Sequence, residues 1–224
     1  NRSGIWSPPA TFSLSGAGAI EQIGTGNTTL SAANPNFTGS VVITDGTLTL
    51  GNTQAMGVGG PITFMGGTLG YSGVNSDLSS RFTAFGSGIT AKIDIGLGTL
   101  VTYSDAPLTG AGGLLKLGGG TLALGANATY TGVTTIAAGT LAFGVGATGG
   151  TAGMVIGDIA NSGLVLFNRS DSIVYSSTIS GTGGIEKAGS GELTLNGDPL
   201  YDFAKLLQSL LGFDEAVFDL PTVP

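Results

Sequence analysis

The chain has 224 residues, of which 42 are glycine and only 9% are charged, with 14 acids against 7 bases for a net charge of −7. With 41% hydrophobic residues and a mean hydropathy of +0.38, it falls outside the disordered class, which combines low hydrophobicity with high charge. It has neither histidine nor cysteine, which excludes imidazole acid–base catalysis, thiol nucleophiles, disulfides and zinc sites built on those residues.

Residues 1–11 read as a lead-in. The opening Asn1-Arg2-Ser3-Gly4-Ile5-Trp6 lacks the pattern of a signal peptide, and no apolar run reaches the ~18 residues of a membrane helix. From residue 12 to 197 the chain repeats itself. Leu14-Ser15-Gly16-Ala17-Gly18-Ala19-Ile20-Glu21-Gln22 opens one copy, Leu108-Thr109-Gly110-Ala111-Gly112-Gly113-Leu114-Leu115-Lys116 a second, and Ile179-Ser180-Gly181-Thr182-Gly183-Gly184-Ile185-Glu186-Lys187 a third. The copies run over 14–52, 108–145 and 179–197, and the third stops repeating at Gly197.

Within the copies, Thr47-Leu48-Thr49-Leu50, Thr121-Leu122-Ala123-Leu124 and Glu192-Leu193-Thr194-Leu195 alternate apolar with small or polar residues. That is strand periodicity. Glycine, asparagine or Asp-Gly punctuates almost every strand. Such a pattern suits a sandwich, a barrel or a solenoid. The recurring small residues favour the solenoid, whose neighbouring turns lie only ~4.8 Å apart. The expected fold is therefore all-β. Leu48, Leu50, Leu122, Leu124, Leu141, Leu193 and Leu195 are expected to face the core, and Gly118, Gly139 and Gly189 to occupy turns with positive φ.

The string from Gly110 to Leu124, followed by Tyr130-Thr131-Gly132-Val133-Thr134-Thr135-Ile136-Ala137-Ala138-Gly139-Thr140-Leu141, resembles the passenger-associated repeat of bacterial autotransporters. Copy one departs from it at Gln22, where the repeat carries lysine. The resemblance implies a right-handed parallel β-helix, extracellular or at the bacterial surface in association with the outer membrane. It implies a non-enzymatic role as stalk, adhesin or assembly subunit, and a host or matrix surface as a possible ligand. No alternating strands of a membrane barrel are visible in this chain.

At Asp198 the composition changes, and Gly212 is the last glycine. Asp198 and Pro199 read as an N-cap and a first helical residue. Leu200, Phe203, Leu207, Leu210 and Leu211 recur at helical spacing. An acidic extended tail with Phe213, Val217, Phe218 and Leu220 follows. Residues 198–224 are thus expected to form a short amphipathic helix and tail. This unit either caps the solenoid or docks on another chain, as the free strand edges of the solenoid also could.

No residue pattern assigns a catalytic, cofactor-binding or metal-binding group, and no basic footprint for nucleic acid is present. Glu21 and Glu186, and likewise Lys116 and Lys187, share repeat positions, which reads as solvated turn. Asp158, Arg169 and Asp171 could form one carboxylate–guanidinium group. Trp6, Tyr71, Tyr103 and Tyr130 could stack on sugar, or simply pack. Thr47, Thr49, Thr121, Thr140 and Thr194 could line one binding face. The alternative function is a polysaccharide-binding or polysaccharide-degrading β-helix, which needs clustered carboxylates. Here nine acids are spread over 197 residues.

Overall fold

The computed structural model describes residues 3–9, 12–146 and 148–195. The short alternating segments form strands throughout. In chain order they are β1 (Ile20–Gln22), β2 (Asn27–Leu30), β3 (Val41–Ile43), β4 (Thr47–Leu50), β5 (Ile62–Phe64) and β6 (Thr68–Tyr71). A single 3-10 turn at Ser79–Arg81 precedes β7 (Thr90–Ile95) and β8 (Leu100–Tyr103). The second copy supplies β9 (Gly113–Leu117), β10 (Thr121–Leu124), β11 (Thr134–Ile136) and β12 (Thr140–Phe143). Then come β13 (Ile159–Asn161), β14 (Leu164–Asn168), β15 (Ile173–Tyr175), β16 (Ile179–Ser180), β17 (Gly184–Ala188) and β18 (Leu193–Leu195).

Every pairing between these strands is parallel and joins successive turns of one coil. Ile20 pairs with Val41 and Val41 with Ile62, a step of 21 residues each time. A passenger-like repeat of nearly twice that length therefore covers two turns of the solenoid. The longest sheet runs β2-β4-β6-β7-β9-β11-β13-β16 and gives eight stacked turns, a rod of about 35–40 Å. Beside it stand a three-stranded sheet, β1-β3-β5, a five-stranded sheet, β8-β10-β12-β14-β17, and the pair β15-β18.

The copies do not stack directly above one another. In copy one the first strands (β1, β3) lie in the three-stranded sheet and the second strands (β2, β4) in the eight-stranded sheet. In copy two the first strands (β9, β11) lie in the eight-stranded sheet and the second (β10, β12) in the five-stranded sheet. In copy three β17 joins the five-stranded sheet and β18 the two-stranded one. Each spacer thus moves the repeat one sheet onward around the coil. The first move happens at β7, which pairs with the second strand β6 on one side and the first strand β9 on the other.

Alternation buries one face of each strand, and stacking merges the buried residues into one core. Leu48, Leu122 and Leu141 are fully buried, and Leu50 and Leu124 nearly so. Leu193 and Leu195 pack against the same core but remain half-buried. The three expected turn glycines have φ of +71° at Gly118, +68° at Gly139 and +70° at Gly189. At Gly139 a Cβ would lie 2.3 Å from the carbonyl oxygen of Gly120 and 2.4 Å from that of Gly118, both in the turn before. Close coil spacing and backbone conformation both select glycine there.

The expected helix and tail at 198–224 lie outside the described residues. So do Leu200, Phe203, Leu207, Leu210, Leu211, Phe213, Val217, Phe218 and Leu220.

Candidate functional site

Of the two lysines expected to be solvated turn residues, Lys116 turns out to be interior and Lys187 half-buried. Lys116 is the last inward position of β9, in register with Ile93 and Ile136, and it is fully buried. Its ammonium bends into the following corner and donates to the carbonyls of Leu117 (2.7 Å), Gly118 (2.8 Å) and Ala138 (3.3 Å). The first two acceptors belong to its own corner and the third to the corner of the next turn. Burial lowers its pKa from the ordinary lysine value to about 8, with the Asp94 carboxylate opposing the shift.

The equivalent residue of copy one, Gln22, performs the same task without charge. Its amide donates to Gly24 O at 2.8 Å and Gly26 O at 3.1 Å. Asn161, also in the Lys116 row, donates to Gly184 O at 2.8 Å and accepts from Gly163 N at 3.0 Å. Lys187 of copy three donates to Ala188 O, to Gly189 O at 2.9 Å and to Arg169 O at 3.5 Å. A sharp glycine corner turns carbonyls inward, and an inward donor at this one position satisfies them.

The arginines act in a similar way. Arg81 donates to Gly60 O at 2.9 Å and Met56 O at 3.0 Å. Arg169 donates to Thr151 O at 2.7 Å and Gly153 O at 3.3 Å. It also forms a two-pronged pair with Asp171, both bonds 2.7 Å. That pair holds the Asp171 carboxyl below its usual pKa. Asp158 does not join them; its carboxylate accepts from Thr178 N at 2.9 Å. Four of the seven basic residues therefore spend their donors on backbone carbonyls, which physically explains the missing basic patch.

Asp77 is a further clamp between turns. Its two oxygens accept from the Ser79 and Ser104 backbone amides and hydroxyls and from the Asp105 amide. Desolvation pushes its pKa upward, but the hydrogen bonds outweigh it and the net shift is downward.

The tyrosines are core, not a sugar platform. Tyr71, Tyr103 and Tyr130 are buried. The Tyr71 and Tyr103 hydroxyls meet at 2.8 Å, and burial raises both pKa values. Trp6 packs edge-on against Phe12 with ring centroids 6.0 Å apart. Both line a cavity of about 330 Å³ at the N-terminal end, with Leu14, Ile20, Leu30 and Leu48 among its walls.

The threonines do not share a face. Thr47 and Thr49 lie in the eight-stranded sheet, Thr121 and Thr140 in the five-stranded sheet and Thr194 in β18. The onward step of the repeat between sheets separates them. Glu21 and Glu186 are exposed, as expected, but stand on strands β1 and β17 rather than in turns. Among the described residues no three acidic side chains gather to hold a metal ion.

Sequence could have exposed the lysine role. A lysine that alternates with leucines at an inward strand position, two residues before a positive-φ glycine, has a set of inward carbonyls within reach.

This architecture defines a class: a repeat-built parallel β-solenoid whose polar interior serves its own corners. The passenger-associated-transport-repeat family model matches residues 20–50, 114–143 and 185–201. The chain is also 36% identical over 181 residues to the adhesin BmaC autotransporter of Brucella suis biovar 1 (strain 1330). That match takes in 78% of this chain and 5% of the length of that protein. No solved structure matches significantly. The chain thus carries the passenger-associated-transport repeat and resembles an autotransporter adhesin over part of that protein's length.

Proposed function

We propose that this chain is a non-enzymatic, surface-exposed adhesive or structural segment, a rigid rod that serves as stalk, adhesin or assembly subunit. The observation that carries the reading is the use of the polar side chains. Interior donors satisfy corner carbonyls, and the described acids other than half-buried Asp94 are exposed, or engaged by neighbouring amides, hydroxyls and Arg169, without three of them gathering at one place. The name of the relative, an adhesin, agrees with this. The rod winds right-handed, as parallel strand connections overwhelmingly do.

Residues 198–224 belong to the same reading as a docking unit for another polypeptide. Their apolar side chains, Leu200, Phe203, Leu207, Leu210 and Leu211 and then Phe213, Val217, Phe218 and Leu220, are the proposed contact residues. Surface display, outside the cell or at the outer membrane, follows from the passenger class.

The test is genetic. Deletion of residues 12–197 from the displayed protein abolishes adhesion or assembly, while single acid-to-amide changes leave it intact. A measured turnover on an acidic polysaccharide that depended on one of these acids would overturn the reading.

A further inference from the structure

Copy three is half of a repeat. In copies one and two the first strand pair is covered by the second, β1 by β3 and β2 by β4, β9 by β11 and β10 by β12. The family match at 20–50 and 114–143 takes in both pairs, whereas the match at 185–201 starts in β17 and includes only β17 and β18 among the described strands. From Asp198 the sequence departs from the Thr-Gly-x-x-x-Ile-x-x-Gly-Thr-Leu pattern that forms the second half. Among the described residues, β16, β17 and β18 each end their sheet, with no strand on the outer edge.

Two side-chain observations mark this edge as shaped for a specific occupant. Leu193 and Leu195 are half-buried, while their copy-two equivalents Leu122 and Leu124, covered by β12, are 0% and 1% exposed. Lys187 satisfies its own corner as Lys116 does, but its third acceptor is Arg169 O in the turn before. The third acceptor of Lys116 is Ala138 O in the turn after, supplied by the corner of the second half-repeat. The Gly189 corner already has the φ of its counterpart Gly118.

We propose that the terminal turn formed by β16, β17 and β18 is a docking surface for a parallel strand pair of second-half type, supplied by another passenger-repeat polypeptide. The arriving strands add to the edges of β17 and β18, close Leu193 and Leu195 over, and offer a corner carbonyl to Lys187. This deepens the assembly role proposed above by naming the partner surface. Main-chain pairing supplies the affinity, and the inward apolar residues with the glycine corner supply the register.

A synthetic peptide with the sequence of residues 127–143, which forms the second half of copy two, is the probe. Fluorescence anisotropy of the labelled peptide is followed against the full chain. The expected result is saturable binding that a scrambled peptide lacks. Binding weakens roughly tenfold with Lys187→Met in the chain, since a charged hydrogen bond is lost, and falls below detection with an Ile136→Asp peptide. Circular dichroism confirms that the Lys187→Met chain is folded.

No binding by the full chain overturns the proposal. Binding that appears only after deletion of 198–224 also overturns it, because the tail is then the occupant. Binding that is indifferent to both substitutions is non-specific and counts against it equally. A chain that fails to bind the peptide yet still mediates adhesion leaves the adhesive reading standing and removes this one alone.

Discussion

Copies two and three have closely similar first halves but sit in different surroundings. Copy two lies inside the stack, with β8 and β12 on either side of β10. Copy three ends it. The same leucines are sealed in one and half-open in the other, and the same lysine reaches forward in one and backward in the other. A repeat motif therefore specifies a strand and a corner, but burial comes from the neighbouring turn. That is the general behaviour of repeat proteins, whose stability resides in interfaces between units as much as in the units themselves.

The largest expected effect is at the corner glycine of copy two. Gly139→Val imposes a β-branched side chain at a φ of +68° and drives it into carbonyls of the preceding turn. A loss of at least about 3 kcal/mol is expected, combining strain with overpacking. Chemical denaturation followed by far-UV circular dichroism measures it. A loss under 1 kcal/mol would show that the turns are not closely stacked there.

Next come the leucines. Leu122→Ala is expected to cost about 2–5 kcal/mol, as buried leucines do. Leu193→Ala is expected to cost less than half as much, because less apolar surface is removed from water at the half-covered position. Equal losses in the same denaturation experiment would erase the difference between the copies.

The lysines follow. Lys116→Met leaves inward carbonyls without their donor and is expected to cost about 1–3 kcal/mol at pH 7. The equivalent change at Lys187 is expected to cost under 1 kcal/mol, as its partners are partly exposed. The pH dependence has a definite sign. With a folded pKa of about 8 against an ordinary 10.5, the unfolded chain binds the extra proton between those values. Wild-type stability therefore rises relative to Lys116→Met as pH climbs through that window, and falls back as pH is lowered through 8. A stability difference that stays flat from pH 7 to 10.5 would contradict the burial of this amine.

The smallest effects belong to the strand acids. Glu21→Gln and Glu186→Gln are exposed on β1 and β17 and should change stability by no more than about 0.5 kcal/mol. A larger change at Glu186 alone would point to an unrecognised contact at the terminal turn.

The strands, the core leucines and the positive-φ glycines were all legible in the sequence, because each follows from a local rule: alternation for Leu122 and Leu124, turn geometry for Gly118 and Gly139. Two features escape that local reading, and both take their role from long-range placement. Lys116 reads as a surface residue by charge alone. Only the inward carbonyls of a folded corner, one of them 22 residues away, give it an interior role. The aligned threonine face failed for a similar reason. Thr47 and Thr140 occupy equivalent motif positions, but the strands inserted at β7 and β8 move copy two onto the next sheet. Spacer length, which carries no motif, sets that step. Asp158 and Arg169 lie in one spacer, but coiling sends the Asp158 carboxylate to the Thr178 amide in the next turn.

The claim that a covering turn, and not the motif itself, determines order is tested most directly by amide hydrogen exchange of the full chain. Residues 121–124 in β10 and 193–195 in β18 should be compared in one experiment at constant pH. The account predicts at least about tenfold greater protection in β10, which has strands on both sides. Equal protection, or greater protection in β18, would contradict it.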